Sequence, residues 1–362
     1  MGTVIALARS KGHSTVGVDI DPLAVLISRV WTTSADTTEA QLKAREVLVR
    51  ARKIFSGLPQ RDAYPVGSDR HTKRFVAYWF DGYARRQLTA LSIAIARVRS
   101  RAVRDILFCA LSRLIISKQS GVSLAMDLSH SRPHKVFKRA PQKPFRKFLS
   151  AVDRVAANCV DKRAFHRGPA PRIHLGDARS LPVLDASIDL VLTSPPYLNA
   201  IDYIRASKFS LVWMGYRMSM LRELRSDSVG TERLKDSLAA DSVAKAVLST
   251  LKLDSALSTR DRGILARYID DMHSSIKEVS RVLAPKGEAV YIIGENTFRG
   301  TYIPNAEIIR LLAAMCSLSL QKRSQRTLPA NRRYLPPPSK IGVPASMDVR
   351  MRREVILSFA KL

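Results

Sequence analysis

Ile188-Asp189-Leu190-Val191-Leu192-Thr193-Ser194-Pro195-Pro196-Tyr197 is the stretch on which the reading of this chain turns. Ile188 to Leu192 is a short apolar run ended by a proline pair, so it reads as a buried strand delivered into a rigid loop. Two consecutive prolines fix φ and remove two backbone donors. The loop therefore offers carbonyls and the Ser194 hydroxyl to a group that donates hydrogen bonds. Tyr197 sets an aromatic face beside them, at the carboxyl end of a strand, where open α/β sheets bind ligands. That combination suits a planar base carrying an exocyclic amine. Four residues alone also fit an ordinary strand exit with a shielding tyrosine, so the rest of the chain decides.

At 362 residues, 46% of them hydrophobic, the chain is long enough to bury a substantial core as one large domain or two moderate ones. No apolar run approaches a membrane span, and the amino end lacks the basic start and cleavage site of a signal peptide. Cys109, Cys159 and Cys316 lie far apart without metal-ligand spacing. This excludes a disulfide framework and a cysteine-rich zinc site, leaves no metal site to expect, and suits a reducing cytoplasm. Lys and Arg number 60 against 31 Asp and Glu, a net charge of +29. A polyanionic partner follows, nucleic acid ahead of membrane because no amphipathic anchor stands out; a general arginine bias is the competing explanation.

Read in order, the chain begins in a nucleotide-binding pattern. Val4 to Arg9 has helical periodicity, Gly12 breaks it, and Thr15 to Asp21 is a strand ending in acids, followed by Pro22 and an apolar helix through Val30. An acid at the tip of the second strand of such a sheet can accept from both ribose hydroxyls. Asp19 is the better placed, since Asp21 before Pro22 looks like an N-cap with proline at N1. A first strand and glycine-rich turn should precede this unit, yet the chain opens at Met1-Gly2-Thr3, already at the helix. The first strand is expected to be absent.

Residues 34–170 change character. They hold 28 Lys and Arg against 10 Asp and Glu, most of the net charge. Helical patterns run over Gln41–Phe55, Arg74–Val98 and Arg101–Lys118. Phe75, Tyr78, Trp79, Phe80 and Tyr83 interleave with arginines and read as the core stripe of these helices. Ser129 to Lys147 is too rich in proline and charge for a packed helix and reads as an extended basic loop, with Arg132, Lys135, Lys138 and Arg139 set to meet a phosphate backbone.

The α/β pattern then resumes. Pro171 to Leu175 is a short strand leading to Gly176-Asp177-Ala178, which again places an acid at a strand tip; His174 reads as structural. Beyond Tyr197 come a helical stretch with Tyr203, Lys208, Phe209 and Trp213, a polar and mobile segment over Arg222–Leu257, and an amphipathic helix from Arg262 to Leu283. Pro285-Lys286-Gly287 turns into the strand Glu288–Gly294, Asn305 to Ala314 is a helix, and two strands, Ser317–Arg326 and Arg353–Ala360, close the chain.

Together, Val16-Gly17-Val18-Asp19, Gly176-Asp177-Ala178 and Ser194-Pro195-Pro196-Tyr197 resemble the S-adenosylmethionine-dependent amino-methyltransferases that modify DNA. The resemblance covers residues 2–30 and about 171–362. It implies an α/β fold: a Rossmann-like class I methyltransferase sheet, its first strand missing, with a reversed C-terminal hairpin. The catalytic domain would be discontinuous, residues 1–33 and 171–362, around a basic helical insertion, 34–170, that binds nucleic acid. Serine first in the S-P-P-Y motif is typical of cytosine-N4 enzymes, whereas Asp or Asn is typical of adenine-N6 enzymes.

The resemblance also implies roles. Asp19 would hold the cofactor ribose and Asp177 the adenine amine, with Gly2 and Thr3 the remnant of the family's D-P-F-x-G-x-G-T motif. Ser194 and the Pro195 carbonyl would accept from the target amine, Pro196 would stiffen the loop, and Tyr197 would stack on the flipped base. The cofactor would be S-adenosylmethionine, the partner double-stranded DNA, with a restriction endonuclease as a possible companion. The base pocket is complete in sequence; the methyl-donor pocket is not. A tRNA guanosine methyltransferase and a catalytically dead nucleic-acid-binding remnant stay open as alternatives.

Overall fold

The computed structural model describes residues 2–33, 35–117, 120–126, 128, 133–159, 168–196, 198, 203–231, 243–254, 257–298, 301–328 and 353–362. Arg132 and Tyr197 fall outside them. The chain packs as two compact units: residues 1–175 with 203–225, and residues 176–202 with 226–362. No described helix is long and apolar enough to cross a membrane.

In the first unit, α1 (Thr3–Ser10), β1 (Val16–Asp19) and α2 (Pro22–Trp31) follow the expected pattern. Asp21 caps α2 through the Leu23 amide at 2.9 Å, with Pro22 at N1. β1 pairs in parallel with β4 (Arg172–Leu175), Val16 opposite Arg172 and Asp19 opposite Leu175. The two strand-tip segments singled out from sequence are therefore neighbours in register, although 152 residues separate Asp19 from the start of β4 at Arg172.

The intervening segment is helical: α3 (Thr37–Gly57), α4 (Arg70–Trp79), α5 (Gly82–Ala96), α6 (Arg101–Ile115) and α7 (Pro144–Asn158), with a short antiparallel pair β2 (Ala125–Met126) and β3 (His134–Lys135). The single pattern read over 74–98 is two helices. Asp81 breaks it, its carboxylate taking the amides of Tyr83 and Ala84 at the start of α5. The extended basic loop is also shorter than expected. Pro144 sits at N1, where its missing N–H costs nothing, so Pro144 to Lys147 begin a helix instead of a loop.

One apolar cluster joins α2 (Leu23, Leu26, Val30) to α5, α6 and α7 (Leu88, Leu91, Ile106, Phe148) and to Phe209 and Trp213 of α8 (Tyr203–Leu211) and the turn after it. Full burial of each such side chain is worth about 1.5–3 kcal/mol, so the basic segment and α2 share the main stabilising core.

The second unit holds a four-stranded sheet in the order β5 (Ile188–Thr193), β6 (Leu283–Gly294), β10 (Arg353–Lys361), β9 (Leu318–Thr327). β5 runs parallel to β6, while β10 lies antiparallel between β6 and β9. This is the reversed terminal hairpin. β10 earns its central place by alternation: Val355, Leu357 and Phe359 are buried, with Phe359 opposite Ala289. Beyond the β7–β8 hairpin (Asn296–Phe298 with Thr301–Ile303), α12 (Asn305–Met315) packs on the sheet.

Three expectations are corrected here. Among the described residues β5 lies at the edge of its sheet, and Leu190 and Leu192 are 56% and 39% exposed, not buried; an apolar run alone does not say which strand has neighbours on both sides. The turn at Pro285–Gly287 is instead a register shift inside β6, where Lys286 takes φ 66° and a Cβ on Gly287 would meet the Ala284 carbonyl at 2.8 Å. Within the segment read as polar and mobile, α9 (Met218–Asp227) and α10 (Val243–Thr250) form. Ala244, Val247 and Leu248 of α10 bury against α11 (Thr259–Val282), a spacing hidden by the polar residues around it.

Candidate active site

The Ser194–Pro196 loop leaves β5 at its carboxyl end, beside the parallel β6. Ser194 Oγ donates to the Ile292 carbonyl of β6 at 3.1 Å. A hydroxyl has one proton and two lone pairs. With the proton directed to Ile292, the oxygen faces any further polar group as an acceptor. Ser194 is exposed, whereas Pro195 is buried and Pro196 half-buried.

Sequence reasoning missed the residue that holds this loop. Tyr268 of α11 is buried at 2% exposure, and its hydroxyl donates to the Pro196 carbonyl at 3.1 Å. Leu198, just past the motif, is fully buried in the same cluster as Tyr268. A proline-fixed turn with one carbonyl anchored from a core helix loses little entropy when a ligand arrives. The only signal in the sequence was a tyrosine on the apolar face of an amphipathic helix.

β6 is pinned at the same end. Asn305 donates to the Gly294 carbonyl at 2.9 Å, and burial holds the adjacent Glu295 carboxyl above its ordinary range, against backbone hydrogen bonds from Ala306 and Asn305. Glu295 thereby ties the strand end to the start of α12.

Asp177 is in the same unit and is engaged. Arg179 Nε lies 3.0 and 3.1 Å from its two carboxylate oxygens, and Nη2 lies 2.6 Å from Oδ2. Arg179 also reaches Asp271 of α11 at 2.5 Å and the Asp227 carbonyl at 2.6 Å. Hydrogen bonding to Asp177 is the leading cause that holds the guanidinium charged, well above its ordinary value. Further along, Glu278 accepts from the Leu181 amide, and Arg281 donates to the Leu181 and Val183 carbonyls. The segment from Asp177 to the start of β5 is thus clamped to α11 by alternating charges.

The remaining expected cofactor residues lie in the first unit. Asp19 is exposed at the end of β1 and takes the Asp21 amide on Oδ1 at 2.9 Å. Asp21 is buried at 3% exposure, and burial pushes its carboxyl up to about 6 against the Leu23 amide and the Ser207 side chain. Gly2, with φ 73°, starts α1; a Cβ there would lie 2.8 Å from Ser28 Cα of α2, so glycine is required by close packing as well as by backbone conformation. Thr3 opens α1 and is exposed. Asp19 belongs to one compact unit, and Asp177 and Ser194 to the other.

Lys135, Lys138 and Arg139 are exposed in the first unit, Lys135 in β3. Among the described residues, no group of three or more His, Cys, Asp or Glu could hold a metal ion.

No known family pattern matches the chain. Across 98% of its length it is 22% identical to the Type II methyltransferase M.MvaI of Kocuria varians, of which it covers 81%. The relative is a methyltransferase. A protein from Thermus thermophilus named as a DNA modification methylase, solved with S-adenosyl-L-methionine, aligns at 17% identity over 51% of each chain with a TM-score of 0.26. A SAM-dependent methyltransferase from Methanosarcina mazei aligns at 9% identity over 60% of this chain and 78% of its own, with a TM-score of 0.27. The full-length similarity to a methyltransferase agrees with the resemblance read from the three motifs.

Proposed function

We propose that this chain is an S-adenosylmethionine-dependent DNA methyltransferase acting on the exocyclic amine of a base, with cytosine N4 as the target. The observation that carries this reading is Ser194, exposed at a strand's carboxyl end with its proton directed to Ile292. Such an oxygen suits a ligand that donates, which an amine does and a carbonyl does not.

When bound, the cofactor supplies an electrophilic methyl group on a sulfonium. The chain's own work is positioning. Ser194 Oγ and the Pro195 carbonyl would accept hydrogen bonds from the two amine N–H groups, which turns the nitrogen lone pair out of the ring plane. An amine held so would present its lone pair to the methyl group that the cofactor supplies, and the proton the amine loses on methylation would pass to solvent. Holding reactants in line is worth up to about 7–11 kcal/mol. Tyr197 would stack on the extruded base, offsetting an unstacking cost of a few kcal/mol.

The residues present fit the nucleoside part of the cofactor unequally. Asp19, exposed at the strand tip with the Asp21 and Ile20 amides on its carboxylate, suits a pair of ribose hydroxyls. Asp177 has both oxygens on Arg179, so an adenine amine there shares its acceptor with a guanidinium. Gly2 and Thr3 stand at the start of α1, where the family's first motif would end. Arg132, Lys135, Lys138 and Arg139 would meet the DNA backbone, and a cognate restriction endonuclease would accompany the enzyme in a cytoplasmic setting.

Paired variants test the assignment. Asp19→Ala should raise the KM for S-adenosylmethionine by roughly tenfold or more, one charge-assisted hydrogen bond being worth about 1.5–3 kcal/mol. Ser194→Ala should leave that KM in place and lower kcat. The reverse split would refute the roles. Transfer to tRNA and not to DNA would move the reading to the RNA enzyme.

A further inference from the structure

The arginines and lysines of the basic segment are used in two different ways. Arg85 is 8% exposed, donates to the Gln60 carbonyl and the Tyr64 hydroxyl, and stacks 4.4 Å over the Tyr64 ring. Arg86 donates to the Leu58 and Phe55 carbonyls that end α3. These guanidinia are consumed in holding α5 to α3 and are not available to a ligand.

The lysines opposite them are available. Residues 133–147 contain Lys135, Lys138, Arg139, Lys143, Arg146 and Lys147 and no acid. All six are exposed, and none is ion-paired with a described residue. This segment crosses the corner between α4 and α5: the Ala140 amide donates to Asp81 at 2.5 Å, and Val136 and Leu124 are joined in a chain of backbone bonds to Trp79.

Two tyrosines read as core residues stand at that corner in the open. Phe80 is buried and Phe75 and Trp79 half-buried, as expected, but Tyr78 and Tyr83 are 53% and 50% exposed. Lys135 Nζ lies 4.8 Å over the Tyr78 ring, and Lys143 Nζ 5.2 Å over Tyr83. Each ring is braced edge-on from inside, Tyr78 on Trp79 at 4.9 Å and Tyr83 on Phe55 at 5.6 Å. An ammonium held over a braced ring is pre-placed, and a phenol beside it adds a neutral donor. Acidic ligands of many kinds attract lysines. The pairing of ordered cations with hydroxyl donors, on a segment that carries no acid and beside one carboxylate, Asp81, already occupied by the amides of Tyr83, Ala84 and Ala140, matches phosphate oxygens.

We infer that the α4–α5 corner, with residues 134–147 laid across it, is a phosphodiester-binding surface whose two main grips are Tyr78–Lys135 and Tyr83–Lys143. The inference rests on the nucleic-acid part of the proposed function and is independent of methyl transfer.

The test is the salt dependence of affinity for a fluorescent DNA duplex, measured on the full chain with no cofactor. K135A/K143A should reduce the slope of log affinity against log salt by about 2, since each phosphate contact contributes close to one unit. Y78F/Y83F should weaken binding about fivefold to 10²-fold with the slope kept, because two neutral hydrogen bonds are lost and no counterion release. K252A/K322A, two exposed lysines of the second unit, should leave the slope unchanged. An equal fall in that control would mean net charge alone, and an unchanged slope in K135A/K143A would remove the surface; either overturns the inference. Polyglutamate competing as well as DNA at equal charge would also overturn it. The same slope changes on an RNA duplex would uphold the surface and shift the partner. A wild-type chain that binds with these slopes and transfers no methyl group would refute the enzyme reading alone.

Discussion

Ser194 carries a single polar atom, and its effect depends on where its proton goes. With Oγ donating to Ile292, removing it costs the loop one strand contact and the ligand one acceptor. Ser194→Ala should lower kcat for methyl transfer by about 10²-fold, the usual effect of deleting one preorganised hydrogen-bonding group, while thermal stability falls by about 1 kcal/mol or less. A second residue-scale expectation concerns Asp21. Its carboxyl titrates near 6 in the fold against 3.8 unfolded, because burial penalises the charge. The folded state thus binds more protons between those values. The stabilisation given by the protonated form is complete below pH 3.8 and is lost as pH rises through 6, at most about 3 kcal/mol. Asp21→Asn keeps the N-cap and removes the titration. Denaturant melts at pH 4.5 and 7.5 should show the variant's gain over wild type larger by about 2 kcal/mol at the higher pH. Equal gain at both would contradict the burial argument.

At the scale of elements, α11 organises the second unit. It anchors the Pro196 carbonyl through Tyr268 and clamps the stretch before β5 through Asp271, Glu278 and Arg281. Tyr268→Phe should cost about 1 kcal/mol in stability and lower kcat with little change in cofactor affinity, as the loop loses its brace. Arg179→Ala leaves Asp177 and Asp271 without their shared cation. With those carboxylates 31% and 13% exposed, the cost should be about 2 kcal/mol, below that of a fully buried pair, measured by urea melts. Little of this was legible in the sequence. Many of the strands and helices were, because β1, β4 and the amphipathic α11 each declare a period or a boundary residue, whereas α10 was hidden among polar residues. The braces were not, since the sequence does not indicate that Arg179 turns back two residues onto Asp177, or that Tyr268 reaches a loop 72 residues away. Edge position was hidden for the same reason: Leu190 reads like any core leucine until its neighbours are known. Pro144 misled because proline at N1 and proline in a loop are one letter.

For the whole molecule, the charge of +29 divides into structural and available cations, and only geometry separates them. Composition raised the expectation of a polyanion partner; it could not show that Arg85 and Arg86 are taken up by backbone carbonyls while Lys135 and Lys143 lie over exposed tyrosines. Two compact units also share the motifs, Asp19 in one and Asp177 with Ser194 in the other, so the three short signatures that suggested a methyltransferase draw on both. Methyl transfer itself is the decisive assay. The protein is incubated with unmethylated duplex DNA and S-adenosylmethionine labelled in its methyl group, and the DNA is digested to nucleosides and separated. Label should appear in N4-methylcytosine, at least about 10²-fold reduced in Ser194→Ala. Label confined to N6-methyladenine or to RNA, or no transfer with either nucleic acid, would contradict the proposed function.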